Sequence, residues 1–528
     1  ANGVTDEFTL EASKLEALEL SDGANLTLSA GQSKDLSIKD VTISKDSSVS
    51  FTDDRNIEIT ASATGVGNFK NEGNFSAKTL TVTKENNSFS NSGTIDVGTL
   101  DLSGSANDKS AIGGIIKASD RITYRGIAGN LLTRKLDAIL YTPLLQIQSD
   151  HTVQSGFLVT SNDVLANVQN IEITSTVLPN GKATRTGLTF EGDDVVVNSN
   201  IAFKGDGNDA RIEITNGSNV TLSNVSSTAA GSKIQINGSA TATVDSISVD
   251  QGAALSLQVN GSTVGDNAVF SLSQISVADG GAFRASVYDD KQPDITIQGD
   301  IDIRLGGNSI VDFGGQKNPD WRDQKIHIES SSINIAVSDS DNAGTVYLSK
   351  SGTDLAKTQI IVTSDASNNA QSDLEKLTNV VQLTSKTGYT ADDTTNYEVA
   401  EGTSLNVAAS DIYDGASGVL TTNEAGEASV SNIKTTSNAN VYGVAQMAVT
   451  GLNIWRNEIN DMNKRLGELR DSSAHDNGLW ARVYQNRSEY GSLGVEGKHT
   501  AVQLGYDRQL LSAQDSRSWL GAAFSYTD

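Results

Sequence analysis

Asp193, Asp194, Asp206 and Asp209 fall within one short stretch of the chain. Two carboxylates on neighbouring structural repeats could do general acid–base work on a glycosidic bond. The surrounding sequence, Glu191-Gly192-Asp193-Asp194 and Gly205-Asp206-Gly207-Asn208-Asp209, reads first as two turns between strands, because Asp, Asn and Gly supply turn geometry. A protease would need a nucleophilic serine, a histidine base and an orienting carboxylate. The histidines are His151, His327, His475 and His499. No Gly-Asp-Ser-Gly, Gly-x-Ser-x-Gly or His-Glu-x-x-His stretch accompanies them, although hydrolases and zinc proteases carry such signatures. The expectation is a protein that is not an enzyme, apart from one self-cleavage described below.

Metal and cofactor sites are not expected. Gly205–Asp209 is one copy of a calcium-nonapeptide pattern without tandem neighbours. Asp339-Ser340-Asp341-Asn342-Ala343-Gly344 opens like an EF-hand loop, but its twelfth position is Lys350, where that loop needs a bidentate Glu. Cysteine is absent, which excludes disulfides and thiolate metal sites. Its absence suits a chain that crosses an oxidising periplasm unfolded. The net charge of −26, from 39 basic and 65 acidic residues, argues against nucleic acid as a partner.

The elements that would carry any such site form a repeat. Shifting Gly67–Val82 by 20 residues maps Phe69 on Phe89, Asn71 on Asn91, Gly73 on Gly93, Phe75 on Ile95, Leu80 on Leu100 and Val82 on Leu102. A period of this size marks a solenoid, in which no repeat can bury its apolar face alone. Two short strands per repeat with Asn/Gly turns suit an all-β, right-handed parallel β-helix. Further strand cassettes are Ile171–Thr174, Ile212–Thr215, Ile247–Val249, Ile275–Val277, Ile295–Ile297 and Ile301–Ile303. At roughly 22 residues per coil and ~4.8 Å per coil, residues 1–370 would make about 16 coils and ~75–80 Å of rod. Two segments break the repeat. Leu131, Leu132, Leu136, Ile139 and Leu140, with Asn130 as a cap, predict a short helix over 128–141. Ser372-Asp373-Leu374-Glu375 is a capping-box pattern and predicts another over 372–382. Residues 371–440 read as irregular strands and linker.

The period then changes. Leu452, Trp455, Ile459, Met462, Leu466 and Leu469 recur at steps of three and four, the stripe of an amphipathic helix. Its 19 residues, Leu452 to Arg470, would reach roughly 28 Å, close to the ~30 Å thickness of a bilayer. Asn453, Arg456, Asn457, Lys464 and Arg465 make it too polar to meet lipid, so it could cross a membrane only inside a pore. Three alternating segments follow: Gly478–Tyr484, Thr500–Asp507 and Ser518–Tyr526. Outer-membrane barrel strands alternate in this way, with aromatics at the interfaces. Leu479, Ala481 and Val483 are expected to face lipid, and Arg482 the lumen. Three strands cannot close a barrel, since about eight is the known minimum, so the chain is expected to stop within one. No basic and apolar leader stretch stands at Ala1, so a mature or cut-down chain is expected, and no run of 18 apolar residues occurs.

Asn460-Asp461-Met462-Asn463-Lys464-Arg465-Leu466-Gly467-Glu468-Leu469-Arg470-Asp471, then Gly478-Leu479-Trp480-Ala481-Arg482 and Gln503-Leu504-Gly505-Tyr506-Asp507, resemble the helix-to-barrel junction of type Va autotransporters. The resemblance covers about residues 440–528. It implies a β-helical passenger over 1–370, with an autochaperone-like region around 290–370, a 371–440 linker region, a pore-spanning linker helix over 441–471 and the first barrel strands over 472–528, beginning at Trp480 and Arg482. It implies self-cleavage at Asn460, followed here by Asp461: the side-chain amide attacks its own carbonyl, forms a succinimide and splits the chain. The partners implied are outer-membrane lipid, the barrel-assembly machinery and a host-cell or bacterial surface ligand. The location implied is the outer membrane, with the passenger on the cell surface or released. Adhesion or cell–cell aggregation is the first expectation for the passenger. A β-helix lyase or glycosidase, or an inert stalk displaying another domain, are the alternatives.

Overall fold

The computed structural model describes residues 5–527 apart from 32, 53, 61–66, 83–86, 105–111, 127–131, 153–154, 261–265, 288–293, 315–325, 368, 388–393, 411–412, 437, 472–476, 492–493 and 514–515; a few further side chains, those of 457–471 and 511–517 among them, lie outside the described set. The chain forms two compact units.

The first unit holds residues 1–365, 371–408 and 416–434. It is a β-solenoid of about 13 turns, or ~60 Å at ~4.8 Å per turn. From Leu132 onwards most turns lay a long, bent strand into one sheet and a shorter strand into a second, whereas the strands before Leu132 all belong to the first sheet. For example, Val195–Lys204 belongs to the first sheet and Ala210–Ile214 to the second. Almost every strand pairs in parallel with the strand one turn earlier and one turn later. Parallel pairing without register slip places like residues above one another. The copy seen in the sequence does so: Phe69 pairs with Phe89, Asn71 with Asn91, Phe75 with Ile95, Leu80 with Leu100 and Val82 with Leu102.

One inward ladder is unbroken through most of the unit. It runs Leu36, Ile57, Leu80, Leu100, Ile122, Leu145, Ile171 and Ile201, then Val225, Ile247, Ile275, Ile303, Ile335, Val362 and Leu405. Every rung is buried. The Phe69 and Phe89 rings stack with centroids 5.3 Å apart and planes 6° from parallel. Alternate positions point to opposite faces of a strand, which gives the inside–outside pattern of Asn74–Val82 and its mates. Where coils turn a corner the backbones nearly touch. A Cβ added to Gly93 would lie 2.0 Å from the Gly73 carbonyl oxygen, so no side chain fits at that corner.

Several expectations need correction. The described residues of 128–141 do not form a helix: Leu132–Leu136 and Ile139–Ser149 are strands, and 128–131 lie outside the described residues. Leu136 and Leu140, both buried, stand four residues apart, a spacing that fits one face of a helix and, being even, one face of a strand as well. The Ile171–Thr174 and Ile212–Thr215 cassettes do not stack on each other; Ile171 pairs with Ile201 in one sheet and Ile212 with Leu188 in the other. The solenoid has about 13 turns rather than 16, because loops lengthen the later coils. A seven-residue helix, α1 (Ala370–Lys376), does form at the capping-box segment. Lys376 there bonds the buried Asp373 at 3.0 Å and Asp341 at 2.6 Å. Residues 381–387, 404–408 and 415–422 form strands that pair within the first unit. Two of these pairings turn antiparallel, which ends the parallel stacking.

Deleting a rung leaves a cavity that neighbouring coils can only partly close. Leu100→Ala is expected to cost about 2–5 kcal/mol, measured as a lower denaturation midpoint of the full chain, while the outward-facing Thr81→Ala should leave the midpoint nearly unchanged.

Candidate functional site

The second unit includes residues 409–415 and 435–528. Its helix, α2 (Ala439–Asp471), has 33 residues, or ~50 Å at ~1.5 Å per residue. It therefore starts at Ala439, well before Leu452, where the apolar stripe begins. Asn438 fixes the start. Its Oδ1 accepts from the backbone N–H of Asn440 (2.7 Å) and Val441 (3.0 Å), satisfying donors that the first helical turn leaves free. Its Nδ2 donates to the carbonyls of Ser410 and Tyr413, and its own N–H donates to Asp414 Oδ1 at 2.6 Å. Gly443 and the β-branched Val441, Val444 and Val449 lower helix propensity over this first part and hide it from a pattern search.

Among the described residues, Val444, Met447, Leu452, Ile454 and Trp455 are exposed on α2. Among the described residues no helix is long and apolar enough to cross a membrane, which says nothing of a β-barrel. While the stripe residues Leu452 and Trp455 stay exposed, the helix turns Asn453 to the strands that follow. Asn453 Nδ2 donates to Ser488 Oγ. Opposite Ser488 stands Gly497, where an added Cβ would lie 2.9 Å from Asn453 Nδ2. The glycine thus permits the helix to approach. The backbone of Ile459, Asn460, Asp461, Met462, Leu466 and Leu469 is helical, and their side chains lie outside the described residues.

Gly478–Tyr490, Val495–Ala513 and Ser516–Thr527 form one antiparallel three-stranded sheet. Its two faces differ. On one, Leu479, Val483 and Phe524 are 88%, 72% and 70% exposed, with Val502, Leu504, Tyr506, Leu520 and Tyr526 beside them. An apolar face this open has the pattern of a lipid-facing barrel wall. The other face, towards Asn453, carries Trp480, Arg482, Tyr484, His499, Gln503 and Asp507. Trp480 lies across Gly505, its cross-strand partner, so a Cβ there would meet the indole at 2.3 Å. His499 Nε2 is 3.2 Å from Tyr484 Oη. Leu479, Ala481 and Val483 stand on the first face and Arg482 on the second.

The four aspartates of the solenoid are not brought together. Asp193 and Asp194 precede Val195–Lys204, and Asp206 and Asp209 follow it, so the length of a bent strand separates the pairs. Asp194, at φ 57°, accepts from Asn219 Nδ2 at 2.8 Å. Asp206 Oδ1 accepts from the Val177 N–H at 2.9 Å. Asp209 instead enters an outward-facing charge cluster. Arg211 Nη2 donates to Asp209, and Arg211 Nη1 to Glu213 Oε1 at 3.1 Å. Arg185 Nη2 reaches the same Glu213 oxygen at 3.3 Å, and Lys233 Nζ lies 3.5 Å from Asp209 Oδ1. Burial holds the Lys233 ammonium below its usual value; Asp209 pulls the other way, while Arg211 and Arg185 add to the lowering. Sequence reading does not find these cations. Their signal is Ala210-Arg211-Ile212 and Ser232-Lys233-Ile234, equivalent offsets at two strand starts, legible only once the register is known.

Among the described residues, no group of three or more His, Asp or Glu side chains could hold a metal ion. His151 Nδ1 lies 2.8 Å from Asp150 Oδ1, and both side chains are exposed. The adjacent Ser149 hydroxyl is engaged with the His151 backbone and lies 3.2 Å from Ser155 Oγ. His475 lies outside the described residues.

An 80-residue stretch of the chain is 40% identical to the serine protease EatA of Escherichia coli O78:H11. A stretch of the same length is 38% identical to the serine protease EspC of Escherichia coli O127:H6. Each match covers 15% of this chain and 6% of the relative. No protein-family model and no solved structure matches. Both relatives are autotransporters, which supports an autotransporter passenger here. They also overturn the expectation of a protein without enzymatic activity, since both are named serine proteases and point to protease activity. The reason is physical: a triad is assembled by geometry from distant parts of a chain and is not defined by local motifs, so missing signatures exclude less than a motif search implies.

Proposed function

We propose that this chain, an autotransporter passenger, is carried through the outer membrane by a barrel to which its last three strands belong, and that α2 tethers the solenoid from inside the pore. The observation that carries this reading is the pairing, in one unit, of a polar helix with a sheet whose far face is open and apolar. On this reading barrel assembly and outer-membrane lipid are the implied partners, and the solenoid stands at the cell surface or is released.

Adhesion or cell–cell aggregation is the role proposed for the solenoid. Its outward rows repeat polar side chains coil after coil. Asn224 Nδ2 donates to Asn200 Oδ1 at 3.0 Å, and Asn200 Nδ2 to Asn170 Oδ1 at 3.1 Å. Such a surface offers the same donors and acceptors many times along its length, which suits extended, multivalent contact. Cells displaying the full-length protein should settle faster than cells lacking residues 1–370; equal settling rates reject the role.

Proteolysis is the second reading, and the names of the two relatives favour it. The purified chain would then cleave casein, with activity lost in His151→Ala. Absent cleavage, or cleavage unchanged in that variant, rejects His151 as the base. A glycan lyase or glycosidase built on Asp193, Asp194, Asp206 and Asp209 is disfavoured by their placement at opposite ends of one strand. Retaining and inverting glycosidases hold their two carboxyls about 5–9.5 Å apart.

Self-cleavage at Asn460 is proposed from its helical position and its match to the junction pattern. Mass spectrometry of a passenger released from cells should find Asn460, as succinimide or its hydrolysis product, at the C-terminus; any other terminus rejects the assignment.

A further inference from the structure

The second sheet of the solenoid gathers positive charge on an acidic chain. Arg185, Arg211 and Lys233 face two carboxylates, Asp209 and Glu213, so the cluster keeps one cation in excess, within a chain of net charge −26. Arg211 is the buried member, with a side chain 6% exposed, while those of Arg185 and Lys233 are 37% and 27% exposed. Nε of both arginines is buried without a hydrogen-bond partner. Buried donors normally find acceptors, so the group is short of acceptors as well as of negative charge. Lys233 and the two arginines are held near one another at an electrostatic cost that an incoming anion would relieve.

The ground around the cluster is shaped by register. Gly156, Gly187, Arg211, Lys233 and Ser256 occupy one outward row across successive coils. At Gly187 no side chain fits, because a Cβ would lie 2.3 Å from the Arg211 carbonyl oxygen and 2.8 Å from its Cγ. The row is therefore flat on one side of the cations. On the other side it is polar: Glu213, Gln235 and Gln258 form the adjacent row, and Gln235 Nε2 donates to Asn237 Oδ1 at 2.6 Å.

We propose that Arg185 and Lys233 bind the carboxylate or sulfate group of an acidic glycan, with Arg211 as the fixed charge beneath them and Ser256 and Gln258 meeting neighbouring hydroxyls. A guanidinium and an ammonium suit such oxyanions through charge-assisted hydrogen bonds. A glycan fits better than an acidic peptide. Peptide recognition uses a free sheet edge, an apolar groove or a cluster of several arginines that reads a phosphate or an acidic run. Here the strands Ala210–Ile214 and Ser232–Asn237 are paired on both sides, the accessible cations are one arginine and one lysine, each beside one carboxylate, and the groups beyond them are amides and hydroxyls. The assignment deepens the adhesion reading, and only its biological meaning rests on that reading.

Isothermal titration of the full chain with a heparin hexasaccharide and an oligogalacturonate hexamer tests it, with maltohexaose and hexaglutamate as comparators. At least one acidic hexasaccharide should bind, more weakly as salt rises, and maltohexaose should not. Arg185→Gln and Lys233→Gln should each weaken binding at least about tenfold, whereas Lys233→Arg should keep it within about threefold, because the conservative change preserves the charge. Circular dichroism and melting temperature establish that the variants are folded. The proposal is overturned by no binding of either acidic hexasaccharide, equal binding of maltohexaose, tighter binding of hexaglutamate, or folded glutamine variants that bind like the parent. Titration separates this proposal from the adhesion reading. Binding that fails while residues 1–370 still drive cell settling removes the subsite alone. Binding that behaves as expected while settling is unchanged by removing those residues removes adhesion alone.

Discussion

Parallel pairing of each coil with the next is the interaction on which the solenoid depends. A single coil has little inside: one or two residues from each face cannot exclude water from one another. Stacked at strand spacing, the same residues become continuous columns, and the ladder from Leu36 to Leu405 is the clearest. Each rung buries its side chain against the rung before it. Backbone donors and acceptors are satisfied between coils, so strand registration and core packing are set by the same step. That coupling explains why the corners demand glycine and why the exposed surface is free to vary.

The surface then follows from the core. Once the inward positions are locked, the outward positions of neighbouring coils are aligned as well, and their side chains meet across the coil spacing. Asparagines pair in the Asn170, Asn200 and Asn224 row, and charges meet around Arg211. The second unit obeys a different constraint. Its helix is too polar for lipid, and its three strands expose one apolar face. The contact of Asn453 with Ser488 beside Gly497 joins the two, and a pore is the environment in which both would be satisfied at once.

Much of the solenoid is legible in the sequence, because side-chain period and coil period coincide where coils are short. The pairing of Phe69 with Phe89 and of Leu80 with Leu100 can be read by one constant shift along the chain. Farther along, inserted loops lengthen the coils, and Ile303 and Ile335, though stacked, stand farther apart in sequence than Leu80 and Leu100. There the constant shift fails and only tertiary register reveals the partners. Leu132–Leu136 and Ile139–Ser149 read as a helix because Leu132, Leu136 and Leu140 fall at steps of four, which suits one face of a helix and equally one face of a strand. The apolar stripe alone hides the start of α2, because Asn438 caps a stretch with weak helix propensity, and only the junction resemblance places the helix from 441. The cations around Glu213 cannot be assembled from sequence at all: Arg185, Arg211 and Lys233 belong to separate coils and converge only through stacking.

The central claim is that α2 lies against the lumen-side face of a membrane barrel while the solenoid stands outside the cell. The chain contains no cysteine, so a cysteine pair placed at Asn453 and Ser488 in the full-length protein reports on that contact alone. The account predicts that oxidation of intact outer membranes joins the two positions by a disulfide in molecules whose solenoid is reached by antibody from outside. Absence of the crosslink in such surface-displayed molecules, or a solenoid that antibody never reaches, would contradict it.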